Sequence, residues 1–406
     1  MDTTVLVIFG LVYLGMLLGE IPGLALDRTG VALLGAIALI ATEKVTVAQA
    51  WASVDVSTIA LLLGLMVVSA QFRLGGFYSE VTQRLADLPV RPALFLGALI
   101  AVVGILSALL ANDVVCLAMA PILVSGCSRR GWDPVPFLLA LACAANVGSA
   151  ATLIGNPQNM LIGQALRLSF GGYLLDALVP SVLGLAAVWA VIAFAFRGRW
   201  QRPVELRFQE HRLPAFDRYQ TSKGMFVLLG LVLVFLLLPS VPREAAALAA
   251  AGVLLTSRRM ASRDILGQVD WHLLVLFAGL FIVNHALAAS GMLARASEAA
   301  LQRGLDLAHP AALFGVSAAL SNLVSNVPAV MLLLPLAHGP TAGAVLALAS
   351  TLAGNLLVVG SIANIIVVDA ALRQGVRITW REHARIGVPV TLLTLAIAAL
   401  WLWMRA

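Results

Sequence analysis

Asn112 and Asp113 stand side by side in "LLANDVVCLAMAPIL", residues 109 to 123, a stretch otherwise apolar up to the helix breaker Pro121. A second such place is "LVSNVPAVMLLLPLA", where Asn326 and Pro335 are nine positions apart, as Asn112 and Pro121 are. Two more follow, since "GNPQNMLI" from Gly155 pairs with "GSIANIIV" from Gly360 and sets Asn159 against Asn364. Where a helix ends inside hydrocarbon, its terminal N–H and C=O groups lose their partners. Such backbone survives only when it is buried in protein or lines a wet cavity. Its N–H ends can then hold an anion and its C=O ends a small cation. Kinks between packed helices would explain one such break, whereas four in matched pairs point to a site. We expect the breaks to converge on one solute cavity lined by Asn112, Asp113, Asn326, Val327, Asn156, Asn159, Ser361 and Asn364.

Asp113 is the most telling of these residues. An ionised carboxylate at mid-membrane costs about 3 kcal/mol on insertion scales, so it marks a functional position and a proton carrier. The competing reading is a structural N-cap of its own hairpin. Asn284 and His285 are also polar in an apolar run, and the expected role of the histidine is a hydrogen bond between helices rather than a proton relay. Asp55 and Asp270 open two similar runs and read as helix caps.

The elements that position these residues are membrane helices. Hydrophobic residues make up 61% of the chain and charged ones 11%, with the charges gathered in short gaps. Apolar runs near 4–19, 30–42, 57–72, 136–154, 173–196, 225–238, 244–256, 271–289, 342–359 and 386–404 give ten candidate spans. They lack the sustained alternation of barrel strands. No basic residue precedes the first run, and a second follows at once, so it reads as an anchor rather than a cleaved signal. Segments 93–125 and 310–338 are left over, and the positive-inside rule makes them re-entrant hairpins. Only then do Arg129 and Arg130, the gap holding Arg197 to Lys223, Arg258 to Arg263, and Arg373 to Arg385 all face the cytoplasm, with both termini outside.

"DVSTIALLLGLMVVSAQFRLGGF" from Asp55 resembles "DWHLLVLFAGLFIVNHALAASGM" from Asp270, so three blocks recur in one order. The fold expected is an all-α polytopic membrane protein of about ten transmembrane helices and two re-entrant hairpins in a five-plus-five inverted repeat. Residues 1–196 form the first repeat, with hairpin 93–125 and broken helix 136–165, and 197–223 a basic cytoplasmic linker. Residues 224–406 form the second, with hairpin 310–338 and broken helix 342–371.

The net charge of +6 lies at membrane edges, which excludes nucleic acid as a partner. Neither a Walker motif nor a zinc motif such as HExxH occurs, and no nucleophile stands beside a base, so no enzyme is expected. A channel would use similar breaks, but paired re-entrant tips suit alternating access better. Cys116, Cys127 and Cys143 lack metal-ligand spacing and read as packing residues.

The motifs resemble those of the ion-transporter superfamily, which includes the arsenite permease ArsB, the sodium/proton antiporter NhaD and the divalent-anion/sodium symporters. The resemblance covers most of the chain and rests on the paired hairpin-tip asparagines and on "TLIGNPQNMLIG" as a broken-helix motif. Symporter tips read Ser-Asn-Thr, but the threonine places here hold Asp113 and Val327. "AND" is closer to the ArsB branch and "SNLVSNVP" to the ArsB and NhaD branches, so the resemblance is nearest to ArsB-like anion permeases. The resemblance implies sodium bound, if used, by Ser107, Asn112 and Gly155 and by Ser321, Asn326 and Gly360. It also implies a homodimer in the lipid bilayer of the cell inner membrane, with a mobile part moving in an elevator-like way. No cofactor is expected beyond that sodium. The leading expectation is a secondary transporter of a small inorganic or carboxylate anion driven by protons or sodium. Arsenite or antimonite efflux is the alternative, and sodium/proton exchange a third.

Overall fold

The computed structural model describes residues 2–19, 23, 25–201 and 215–405. Among these, regular structure is helical. The first half holds α1 (Thr3–Leu18), α2 (Arg28–Ala41), α3 (Val47–Ser53), α4 (Val56–Leu74), α5 (Phe77–Ala86), α6 (Pro92–Leu109), α7 (Asn112–Arg129), α8 (Val135–Ser149), α9 (Pro157–Ala165) and α10 (Phe170–Ala195). The second holds α11 (Arg218–Leu237), α12 (Arg243–Leu255), α13 (Ser262–Leu266), α14 (Trp271–Ala289), α15 (Met292–Gln302), α16 (Pro310–Val324), α17 (Asn326–Leu333), α18 (Ala342–Ala353), α19 (Ile362–Arg373) and α20 (Trp380–Arg405).

Each of the ten apolar runs forms a helix, and each proposed break is a break. Residues 110–111 separate α6 from α7, Ser325 separates α16 from α17, and non-α segments separate α8 from α9 and α18 from α19. Six described helices, α4, α6, α10, α11, α14 and α20, are long and apolar enough to cross a membrane. Of the other runs, α1, α2, α8, α12 and α18 are shorter, with 16, 14, 15, 13 and 12 residues respectively. Helix α11 starts at Arg218, inside the expected linker 197–223, where Asp217 accepts from Gln220 N at 3.0 Å. Arg202, Arg207 and Arg212 of that linker lie outside the described residues.

Scarce aspartates start several of these helices. Asp2, Asp27, Asp55, Asp217 and Asp270 each accept from backbone N–H groups in the first turn of the helix that follows, as the sequence suggested for Asp55 and Asp270.

Packing falls into two groups. In one, α4 lies on α12 and α14 on α2, with α1 and α11 alongside. A Cβ on Gly64 would come within 2.7 Å of the Ala247 backbone, and one on Gly279 within 2.9 Å of the Ala32 backbone, so both crossings are backbone to backbone. In the other group, α6 packs on α8, α16 on α18, α7 on α19, and α10 on α20. Every residue of α8 and α18 is buried, which makes these small-residue helices the core of that group.

Hydrogen bonds join several of the loops. Arg130 Nη2 donates to Leu88 O at 2.6 Å, Asp133 N to Trp200 O at 2.8 Å, and Asp217 N to Gly75 O at 3.0 Å. The segment before α6, the end of α7 and the Trp200 flank of the basic gap are therefore joined, and the Asp217 flank meets the turn between α4 and α5.

Candidate solute-binding site

Four helices, α7, α9, α17 and α19, begin at a common buried cluster of amides and hydroxyls. Asn146, from the middle of the α8 run, lies at its centre. Its Oδ1 accepts from Asn112 Nδ2 at 3.4 Å and from Ser361 Oγ at 2.8 Å. Its Nδ2 donates to Asn355 Oδ1 at 2.8 Å and to Asn364 Oδ1 at 3.2 Å.

The two broken helices are built alike. Asn159 Nδ2 donates to Ser149 O and Thr152 O, ten and seven residues upstream. Asn364 Nδ2 donates to Gly354 O and Leu357 O, also ten and seven residues upstream. Each asparagine satisfies carbonyls that the break releases from the preceding helix, which is why this residue type follows each break. Asn156 caps α9 by accepting from Asn159 N at 2.9 Å, and its Nδ2 donates to Ser149 Oγ at 3.0 Å. A Cβ on Gly155 would fall within 2.6 Å of Ser149 Cα and 2.8 Å of Ser107 O, so only glycine lets the backbones approach this closely.

At the second tip, Ser325 adopts φ 74°, a backbone region unfavourable to a residue with a Cβ. The Asn326 amide fits its surroundings when its nitrogen faces Gly360 O (3.2 Å) and Ser350 O (3.1 Å) and its oxygen accepts from Gln158 Nε2 (3.2 Å). Ser321 Oγ lies 2.5 Å from this amide and donates to Ser350 O at 3.0 Å. Val327 is buried among apolar side chains and brings no polar group.

Thus Asn112, Asn156, Asn159, Asn326, Ser361 and Asn364 meet in one network, with Gly155 and Gly360 beside them. Motif reading missed Asn146, Ser149, Gln158, Ser350, Thr351 and Asn355. A polar residue inside an apolar run was the available signal for Asn146, in "ALACAANVGSA". None of the described Arg or Lys residues hydrogen-bonds into the cluster, whose polar groups are neutral amides and hydroxyls.

No side chain caps α7, α17 or α19. Asp113, the second residue of α7, is therefore not the structural cap that was its alternative role. It lines a small cavity together with Arg73, Gln268 and Asp270. His285 is exposed and makes no hydrogen bond among the described residues, contrary to the expected bond between helices. Its neighbour Asn284 accepts from Tyr13 OH at 2.8 Å, and that hydroxyl also donates to Pro328 O in α17 at 3.2 Å.

The oxygens available to a sodium ion differ between the halves. Ser107 Oγ and Asn112 Oδ1 are buried without a hydrogen-bond partner among the described residues; Asn112 N donates to Gly155 O at 3.3 Å, and the Ser107 and Ser149 carbonyls crowd Gly155, so the oxygens of this tip suit a hard cation. Ser321 Oγ and Asn326 already bond each other. At the far end of α9, Arg243 Nη2 donates to Gly163 O at 2.5 Å and Gln164 Nε2 to Glu244 Oε2 at 2.9 Å. These residues border a cavity of about 830 Å³ between the two helical groups. The three cysteines are buried and unpaired.

Residues 4–353 match the family described as citrate transporter. A 46 kDa membrane protein of Mycobacterium leprae is 30% identical over 93% of this chain and 92% of its own length. The silicon efflux transporter of Oryza sativa is 26% identical, covering 96% of this chain and 95% of its own. Among solved structures, the YdaH transporter of Alcanivorax borkumensis shares the fold, with a TM-score of 0.59 at 13% identity over 99% of this chain and 96% of that one.

Proposed function

Since the chain belongs to the citrate-transporter family, within the ion-transporter superfamily, we propose that this membrane transporter is a secondary active carrier of a small inorganic or carboxylate anion, driven by protons or sodium. The observation that carries this reading is the meeting of helix N-termini at one buried cluster of amides and hydroxyls. Of the four helices that begin at the amide cluster, α9 is capped by Asn156, whereas α7, α17 and α19 have no side-chain cap among the described residues. Uncapped N-termini in a buried polar cluster are what an anionic group can complete.

The reciprocal packing of α4 on α12 and α14 on α2, and the ten-and-seven pattern at both breaks, support an inverted repeat with re-entrant hairpins at α6–α7 and α16–α17. In this reading the group that holds the cluster is the mobile part of an elevator, and the other group is the scaffold of a homodimer. The side that carries the basic gap is cytoplasmic, which leaves both termini outside the inner membrane. Asp113 carries a coupling proton, or Ser107 and Asn112 bind sodium with the help of the neighbouring carbonyls.

A second reading, efflux of arsenite, antimonite or a similar metalloid acid, is favoured by the neutral lining. Such hydroxides are uncharged near neutral pH, and the amides and hydroxyls of the cluster can both donate to and accept from them. The rice relative is named for silicon efflux.

A thermal-shift screen of purified protein against citrate, other dicarboxylates, phosphate, arsenite and silicate, with and without sodium, tests both readings. A solute at about one hundred times its Kd stabilises the folded state by about 2.7 kcal/mol. Asn112→Ala and Asn326→Ala should each lose that stabilisation while remaining folded. Wild-type binding in both variants would place the site elsewhere.

A further inference from the structure

Asn146 and Thr351 lie at no break, yet besides the bond from Gln158 to Asn326 they make the long-range bonds between the halves of the cluster. Both are inside fully buried helices, α8 and α18. The stretch of sequence that separates them is the one that separates Gly155 from Gly360 and Asn159 from Asn364, so they occupy corresponding positions. Their hydrogen bonds cross between the halves. Asn146 reaches Asn355, Ser361 and Asn364, all in the second half. Thr351 Oγ1 accepts from Asn156 Nδ2 at 3.4 Å and Gln158 Nε2 at 3.2 Å, and donates to Asn159 Oδ1 at 3.3 Å, all in the first.

Backbone carbonyls fix the direction of each bond. The nitrogen of Asn364 is held by Gly354 O and Leu357 O, so its oxygen must face Asn146, and only the Asn146 nitrogen can meet it. Asn146 Oδ1 is thereby turned toward Asn112 and Ser361. Likewise the nitrogen of Asn159 is held by Thr152 O, so its oxygen requires a donor, which the Thr351 hydroxyl supplies.

We propose that Asn146 and Thr351 are positioning residues for solute binding, each holding the broken helix of the opposite half so that its first turn faces the solute. This rests on reading the amide cluster as the solute site. Neither half-site then forms alone, and the loss of one brace disorders the half-site across from it.

Thr351→Val keeps the β-branched shape and removes the hydroxyl, while Thr351→Ser keeps the hydroxyl and removes a methyl. Affinity is measured on full-length protein with whichever of citrate, inorganic phosphate and arsenite the wild type binds. Valine should raise Kd at least tenfold, and serine should restore it to within about threefold. Asn146→Ala should also weaken binding, and the combination with Thr351→Val should be less than multiplicative, because both changes undo one assembled site. If valine prevents folding, Thr351→Cys, with its weak thiol donor, replaces it. Wild-type affinity in Thr351→Val, or a serine variant as weak as the valine one, overturns the assignment, since a merely stabilising hydroxyl would shift melting without this affinity pattern. Loss of binding in Asn326→Ala alongside an unaltered Thr351→Val leaves the site reading standing and removes only the braces. Full binding in Asn326→Ala, or a wild type that binds none of the three probes, removes the site reading itself.

Discussion

Replacing Ser107 by alanine separates the two coupling ions by the sign of a stability change. Ser107 is fully buried, and among the described residues its Oγ has no hydrogen-bond partner, nor has Asn112 Oδ1 five residues on. A buried hydroxyl left unpaired costs about 1–3 kcal/mol. Removing one oxygen forfeits a few dispersion contacts of about 0.1–0.2 kcal/mol each. Alanine is also the better helix former within α6. In sodium-free buffer the variant should therefore be more stable than wild type, by about 1–2 kcal/mol. Sodium reverses the order if it binds between Ser107 and Asn112. At about one hundred times its Kd it adds about 2.7 kcal/mol to wild type, and the variant should lose most of that gain. The assay is thermal unfolding in sodium chloride and in choline chloride at equal ionic strength, with uptake into proteoliposomes under both conditions. A variant no more stable than wild type without sodium would refute the reading of Ser107 as an unpaired hydroxyl. A variant that is more stable yet keeps the full sodium response would put sodium elsewhere, with Ser321, Asn326 and Gly360 as the remaining set.

Asp113→Asn retains the shape and removes the titrating group, so proton-driven concentrative uptake should fail while solute exchange at equilibrium survives; full proton-driven uptake would rule out the carrier role. Cysteines placed at Arg129 and Arg377 should be labelled from the cytoplasm and one at Arg303 from outside, and labelling of the first and last from the same side would undo the inverted repeat. Gln164→Cys combined with Glu244→Cys places two thiols across the hydrogen bond that joins α9 to α12, to be linked by a short reducible bis-thiol reagent. Crosslinking should stop transport and reductant should restore it, whereas undiminished transport by the crosslinked protein would show that these two helices do not move apart.

Much of the architecture could be read locally. Long apolar runs, aspartates before them and prolines within them are decided by neighbours a few residues away, which is why the ten runs became helices and Asp55 and Asp270 became caps. The breaks were legible for the same reason, since "GNPQN" and "SNVP" cannot continue a helix undisturbed whatever packs against them. Side-chain direction was less accessible. Consecutive helix positions differ by about 100° around the axis, so Asn284 turns inward to Tyr13 while His285 is exposed, and composition alone treats the two alike. Only the tertiary structure could single out Asn146 and Thr351. The second-half partners of Asn146 lie 209 to 218 residues away, and the first-half partners of Thr351 192 to 195, distances at which the sequence carries no local mark of contact. An asparagine in an apolar helix announces that it needs a partner, because an unpaired amide there is costly. Which partner it finds, and hence whether it packs two helices or orients a binding site, is decided by how the halves of the chain meet.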